Sequence, residues 1–317
     1  MSQEYTDFVI NSFGPKATPR SRRIIGSLIQ HIHDFTRENY ITVDEWMYGV
    51  EFINKIGQMS DSTRNEGILV SDVLGLEALV DTQTHAVAER HGSSTAATSS
   101  AILGPFYREN SPVYKNGESI IIKEVGGVKA YVSGKITNTQ GEALAGAMVE
   151  VWHCAPNGLY EQQDPEQPDF NLRGTFYTDK DGFYSFVCLE PTAYPIPYDG
   201  PAGGLLQFMD RHPMRPSHIH WRVTHPSYHS LITQIYNRED PYTEDDSVFA
   251  VKEDCVVDFI KADGKIAEEH QVEKELRFSV ALELEEFVQQ DRKKIYAQQK
   301  ALEDHLHEKS RLNSTTK

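Results

Sequence analysis

The apolar positions change period along the chain. In RIIGSLIQHIHDF, Ile24, Ile25, Leu28, Ile32 and Phe35 recur at three- and four-residue steps, which predicts an amphipathic helix. Thr42-x-x-Glu45 reads as a capping box that opens a second helix, and Trp46, Val50, Phe52, Ile53 and Ile56 continue its stripe. A third helical run, SDVLGLEALVDTQTHAVAER, begins at Ser71, so residues from about 20 to 98 read as helical. The small, polar GSSTAATSS at 92–100 reads as a connection. From about 119 to 284 the pattern becomes short strands between turns: ESIIIKEV, KAYVSGKIT, AMVEVWHC, GTFYTD, GFYSFVC, HIHWRVTH, LITQIYN and ELRFSVALEL. Asp181-Gly182, between GTFYT and FYSF, is a hairpin signal. Such spacing predicts an antiparallel sandwich or barrel. The tail after about 285 is charge-rich with few apolar anchors, as in a solvated helix running into a disordered LNSTTK. The expected organisation is a helical domain over 1–100, a β domain over 101–284 and a charged helix and tail over 285–317.

Composition narrows the function classes. A chain of 317 residues can bury a full core, which excludes a small disulfide-stapled scaffold. With 31 Lys and Arg against 47 Asp and Glu, the net charge of −16 is spread along the chain, so no nucleic-acid partner is expected. No apolar run approaches the ~20 residues needed to span a bilayer, and MSQEYTDFVINSFG does not read as a secretory signal. Cys154, Cys188 and Cys255 show no CxxC spacing and suit buried thiols in a reducing cytoplasm. GxGxxG, Walker A, GxSxG and HExxH patterns do not occur, so nucleotide binding, serine hydrolysis and zinc-protease chemistry lack their local signs.

Three His-x-His pairs are present: His31/His33, His218/His220 and His305/His307. On a helix, residues two apart point to nearly opposite sides; on a strand they share a face. The first and third pairs lie in helical runs, whereas PSHIHWRVTH places Ile219, Trp221 and Val223 toward the core and His218, His220 and Arg222 on the opposite face. Only this middle pair has chelating geometry. Imidazole suits iron, copper, nickel and zinc alike. A carboxylate third ligand, as in ferrous 2-His-1-carboxylate sites or cupins, is missing from the WRVTHPSYHSLITQIYN that follows. Phenol is the remaining anionic donor, abundant in WHCAPNGLYEQQD and AYPIPYDGPAGG. It ionises near pH 10 in water, and a trivalent cation stabilises the anion at neutral pH. Tyrosinate therefore selects ferric iron. Two phenolates and one hydroxide balance three positive charges, leaving a neutral centre that can be partly buried.

The ordered blocks LGPFY (103–107), VSGKITNTQGEALAGAMVEVWHCAPNGLY (132–160), RGTFYTDKDGFYSF (173–186), YPIPYDGP (194–201), RHPMRPSHIH (211–220), TQI (233–235) and DPYTEDD (240–246) strongly resemble the intradiol ring-cleavage dioxygenases, non-haem ferric enzymes. The resemblance runs from the N-terminal helical segment to about residue 284. It implies a mainly β chain with a helical N-terminal domain and an antiparallel, prealbumin-like β-sandwich as the catalytic core. The implied iron ligands are Tyr160, Tyr194, His218 and His220, with Tyr198 the competitor for Tyr194 in the same loop. Arg215 and Gln234 match the family arginine and glutamine beside substrate and iron. In the implied reaction the diol displaces Tyr194, whose phenolate accepts a substrate proton, while Arg215 stabilises negative charge gathering on the ring. O2 supplies both product oxygens, and no external reductant or nicotinamide takes part.

Substrate choice is assigned by resemblance to Leu74, Glu77, Ile102, Leu103, Gly104, Pro105, Phe106, Ile196, Pro197 and Val248. YPIP after the second tyrosine, an acid at Glu77 and a small aliphatic at Val248 look like hydroxyquinol 1,2-dioxygenases, with catechol the alternative diol. A carboxylate at position 77 offers an acceptor to a third ring hydroxyl. The helical segment in this family forms a homodimer interface with a tunnel that holds lipid, although the stripes at 24–35 and 46–56 equally suit packing within one chain. A rival reading of another class is a non-catalytic prealbumin-like binding module, which GKITNTQGEALAGAMVEVW and YTDKDGFYSF also resemble.

Overall fold

A computed structural model describes residues 3–61, 64–85 and 97–314. The chain divides into two compact units, Met1–Gln58 and Met59–Lys317. The first holds helix α1 (Gln3–Ile10), α2 (Pro19–Glu38) and nearly all of α3 (Val43–Met59). Thr18 caps α2, accepting the Ser21 N–H at 3.1 Å, and Pro19 follows it where no amide is needed. The capping box opens α3 as expected: Thr42 Oγ1 accepts the Glu45 N–H at 3.3 Å, and Glu45 Oε2 accepts the Thr42 N–H at 2.8 Å. The apolar stripe of α2 is exposed at Leu28, Ile32 and Phe35, as is Trp46 of α3.

The second unit begins with two short helices, α4 (Glu66–Val73) and α5 (Leu76–His85). Residues 86–90 of the third helical run and 92–96 of the connection lie outside the described residues. Strands β1 (Lys129–Asn138), β2 (Met148–Trp152), β3 (Arg173–Tyr177) and β4 (Phe183–Leu189) come next. A two-residue β5 (Tyr194–Pro195), helix α6 (Pro201–Phe208) and β6 (Met214–Arg215) then lead into the long pair β7 (His218–His225) and β8 (Tyr228–Asn237). The rest comprises β9 (Val256–Val257), β10 (Ile260–Lys261), helix α7 (Gly264–His270), β11 (Lys274–Arg277), β12 (Val280–Leu282) and helix α8 (Glu285–Ser314). The charged tail is thus helical through Leu312–Ser314, and 315–317 lie outside the described residues.

Two five-stranded sheets share one core. One joins β4, β10, β11 and β12 around β1; the other runs β3-β2-β7-β8-β9. Val132, Ile136, Phe186 and Leu276 of the first meet Val149, Phe176, Ile219, Trp221 and Ile235 of the second. The expected all-antiparallel pairing is corrected: β1 pairs in parallel with β11 and β12, and β8 with β9, so both sheets are mixed. The Asp181-Gly182 signal marks a real turn, with Gly182 N–H on the Asp179 carbonyl at 3.0 Å, but not a hairpin. It carries the chain from β3 in one sheet to β4 in the other. The expected strand ESIIIKEV makes a single bridge, Ser119 to Val187, because past Ile120 side chains take its amides: Ser119 Oγ accepts Ile121 at 3.1 Å, and Asn171 Oδ1 accepts Ile122 at 2.9 Å and Lys123 at 3.1 Å.

The alternating ELRFSVALEL is broken at Phe278, where the parallel partner of β1 changes from β11 to β12. The Phe278 carbonyl accepts the Tyr184 hydroxyl at 2.7 Å, and a Cβ at Gly134 would stand 1.7 Å from that same oxygen. Only glycine fits there. Gly134→Ala is expected to cost about 3 kcal/mol of stability, measured by urea melts; an unchanged midpoint would show that the strands part there freely.

Candidate metal centre

Strand β7 carries the histidine pair between two neighbours. Its register sets His220 opposite Trp152 of β2 and Gln234 of β8, and His218 opposite Tyr236. Ile219, Trp221 and Val223 fill the core, so the imidazoles share the other face as the alternation requires. Both are buried, with ring centres 4.9 Å apart. His220 stacks on Trp152 at 4.7 Å and 8°, and its Nδ1 is buried without a hydrogen-bond partner.

The two phenols arrive from loops. Tyr160 opens a short helical turn, where Gln163 Oε1 accepts its N–H at 3.0 Å, and Phe106 stacks on its ring at 4.6 Å. Tyr194 is placed by the β5–β6 pairing, which sets it directly opposite Arg215. Its hydroxyl lies 3.3 Å from the Tyr160 hydroxyl and 3.3 Å from His218 Nε2. Tyr194 is 4% exposed and Tyr198 37%, and it is Tyr194 that touches both Tyr160 and His218.

Arg215 is buried against this group. Its Nη1 lies 3.1 Å from His218 Nε2, its Nη2 donates to Gln234 Oε1 at 2.7 Å, and Nε and Nη2 each donate to Asp246 at 3.2 Å. Gln234 in turn donates to the Ile102 carbonyl at 2.6 Å. Asp246 was not singled out among the candidate residues: DPYTEDD offers several acids, and only the fold selects the one that reaches Arg215.

The electrostatics fit a metal. His218 Nδ1 is 2.6 Å from the Pro216 carbonyl, an acceptor only, so the proton sits on Nδ1 and Nε2 keeps its lone pair. Burial, then the Arg215 charge, holds His218 well below the usual imidazole range; burial, then His218, does the same for His220. Burial pushes Tyr194 up to about 12 against the pull of Arg215, and Tyr160 well above the usual phenol range. Two neutral imidazoles and two un-ionised phenols leave a pocket that a multivalent cation would complete by drawing off the phenolic protons. Among the described residues no group of three or more His, Cys, Asp or Glu is placed to hold a metal ion.

The residues assigned to substrate choice divide into two groups. Phe106, Ile196 and Pro197 line a cavity of about 520 Å³ beside Gly158 and Leu159. Leu103, Gly104 and Pro105 line a second, of about 560 Å³; Arg64 and Gln162 border both. Leu74, Glu77, Ile102 and Val248 border neither: Leu74 is exposed, Ile102 and Val248 are buried, and Glu77 Oε1 accepts the Leu103 N–H at 3.1 Å. The buried Asp72 lies within electrostatic reach of Glu77.

Comparison with known proteins decides the family. Residues 102–283 match the family described as Dioxygenase, and residues 18–92 match Catechol dioxygenase N terminus. The chain belongs to the intradiol ring-cleavage dioxygenases. It is 56% identical to a catechol 1,2-dioxygenase of Candida albicans, covering 95% of this chain and 99% of that one. A hydroxyquinol 1,2-dioxygenase of Rhizobium sp. is 40% identical over 76% of this chain and 80% of its own length. The solved hydroxyquinol 1,2-dioxygenase of Pseudomonas putida DLL-E4 superposes with a TM-score of 0.79 at 36% identity, covering 89% of this chain and 98% of that one. The dioxygenase is thus an enzyme acting on aromatic diols, and the reading as a non-catalytic module falls away. No described helix is long and apolar enough to cross a membrane, and the three cysteines are buried and unpaired.

Asp72 supplies a pH test of the wall beside Glu77. Burial, then Glu77, raises its carboxyl to about 9, whereas in the unfolded chain it ionises near pH 3.9. Between those values the folded form binds the extra proton, so Asp72 makes stability fall as pH rises. Asp72→Asn removes that slope. From pH 6 to pH 8 the variant should gain stability relative to the parent in urea melts, on the order of 2 kcal/mol at most; equal slopes would show that Asp72 is ionised in the fold.

Proposed function

We propose that this dioxygenase cleaves catechol between its two hydroxylated carbons with O2, giving cis,cis-muconate, at one ferric ion held by Tyr160, Tyr194, His218 and His220. The convergence of two buried phenols and two neutral imidazoles carries this reading. When bound, ferric iron supplies Lewis acidity and a template for the diol. The remaining work falls to the chain. The Tyr194 oxygen, between Tyr160 and His218, is placed to accept a proton from an incoming diol. Arg215, fixed by Asp246 and Gln234, holds a positive charge where negative charge gathers on the ring. Gln234 links that arginine to the Ile102–Phe106 wall, and Phe106 orients the Tyr160 ring.

Catechol is preferred over hydroxyquinol for two reasons. The near full-length likeness to the Candida albicans catechol 1,2-dioxygenase supports it. So does Glu77, which borders neither cavity and whose Oε1 accepts the Leu103 N–H. Hydroxyquinol, giving 3-hydroxy-cis,cis-muconate or its tautomer maleylacetate, is the second reading. It is favoured by the small, buried Val248 and by the likeness to the Rhizobium and Pseudomonas hydroxyquinol enzymes. We also read the two sheets as a prealbumin-like sandwich, from their shared core. The exposed Leu28, Ile32, Phe35 and Trp46 support a homodimer through the helical unit, with an apolar face suited to lipid. Three unpaired thiols agree with a cytoplasmic setting.

The iron-loaded protein is expected to show a visible phenolate-to-iron band. His220→Ala should lose the iron and at least ~100-fold in turnover. Tyr194→Phe should shift the band and Tyr198→Phe should leave it in place; the reverse would transfer the ligand to Tyr198. Steady-state kcat/KM for catechol should exceed that for hydroxyquinol by at least about tenfold. A preference for hydroxyquinol would overturn the substrate reading while sparing the iron site.

A further inference from the structure

Two arginines border the 560 Å³ cavity, and both are held in the same way. Arg64 Nε donates to Glu66 Oε2 at 2.8 Å, and Nη1 donates to Asp199 Oδ1 at 2.7 Å. Arg108 Nη1 donates to Glu161 Oε1 at 2.7 Å and to Asp169 Oδ1 at 3.2 Å. In each case one partner is buried and the other exposed: the side chains are 0% and 68% exposed for Glu66 and Asp199, and 1% and 82% for Glu161 and Asp169.

The buried glutamates have further anchors. Glu66 Oε1 accepts the Ala202 N–H at 2.9 Å, and Glu161 Oε2 accepts Arg173 Nε at 2.7 Å. They fix the guanidiniums in place. The exposed aspartates hold only a solvated ion pair, weak and screened by salt. A carboxylate from solution can therefore replace Asp199 or Asp169 at little cost, with the arginine already oriented and charged.

The proposed reaction supplies a matching ligand. Cleaving the bond between two hydroxylated carbons turns each into a carboxylate, so the product is a dianion while the diol substrate arrives uncharged. We propose that the two cavities, which share Arg64 and Gln162, form one dicarboxylate site, in which Arg64 exchanges Asp199 on the 520 Å³ side and Arg108 exchanges Asp169 on the 560 Å³ side for the two carboxylates of the ring-opened product as it leaves. The inference rests on the diol-cleavage reading. It adds a second binding place, next to the wall formed by Leu103, Gly104 and Pro105.

Calorimetric titration of the iron-loaded protein with cis,cis-muconate tests it, with hexa-2,4-dienoate as the one-carboxylate comparator. Muconate should bind at least tenfold more tightly than hexadienoate, and its Kd should rise with added NaCl. Asp199→Asn and Asp169→Asn each remove a competing carboxylate and should tighten muconate binding about two- to fivefold. Asp181→Asn, an equal change of charge on the remote turn between β3 and β4, should leave it unchanged. Arg108→Gln keeps Glu161 paired with Arg173 and should weaken muconate at least fivefold. Asn variants that behave like Asp181→Asn, or muconate binding no better than hexadienoate, would overturn the site. Catechol turnover is followed on the same samples, so its absence would count against the diol reading and not be confused with failure of the dicarboxylate site.

Discussion

Strand β7 binds the core and the metal centre into one constraint. Ile219, Trp221 and Val223 are buried between the sheets, and His218, His220 and Arg222 alternate with them. Because the period is two, a slip of one residue would drive both imidazoles into the hydrocarbon core and turn Trp221 out of it. The register with β2 and β8 then places Trp152 and Gln234 beside His220. The spacing of the two nitrogen donors is thus fixed by the burial of residues that never touch a ligand. A loop-borne pair would lack that rigidity.

Charge is the second constraint. Arg215 is a buried, permanent cation beside groups proposed to receive a metal, a combination that would repel the ion if it stood alone. Asp246 cancels it through two hydrogen bonds, and Gln234 occupies a further donor. An unpaired buried charge costs several kcal/mol, so Asp246 is needed for the fold as well as for the field at the centre. With that pair neutral, the phenols remain free to balance the metal. The low proton affinity of the imidazoles has the same effect, since a protonated histidine would oppose both Arg215 and the ion.

What the sequence discloses depends on whether the signal is local. The His-x-His alternation and the Thr42–Glu45 capping box are complete within a few residues, and both appear as expected. Tyr194 and Tyr198 share one loop, and only the resemblance favours Tyr194 there; the pairing of Tyr194 with Arg215, twenty-one positions later, is what buries it beside Tyr160 and His218 while Tyr198 stays exposed. Strand direction is equally invisible: the alternation in ELRFSVALEL is the same whether its partner runs parallel or antiparallel, so the mixed sheets emerge only from the chain's path. ESIIIKEV has a strand's composition, but two of its amides, Ile122 and Lys123, are taken by Asn171, almost fifty residues away. The resemblance to known dioxygenases located the candidate donors; Asp246, Arg64 and Asp199 required the fold.

The segment bearing Tyr194 also fixes where its phenol lies. At one end, the β5–β6 ladder ties its backbone to Arg215. At the other, the Ala202 N–H is held by the buried Glu66, and Arg64 joins Glu66 to Asp199. With both ends fixed, motion of the phenol is confined to its side-chain torsions. Gly158 lets the chain pass this close: its φ of +80° is one that L side chains rarely adopt, and a Cβ there would lie 3.0 Å from that of Tyr194. A larger residue at 158 would press on the tyrosine without touching its oxygen. The backbone held at both ends, with the glycine against its Cβ, thus sets where the Tyr194 oxygen lies between Tyr160 and His218.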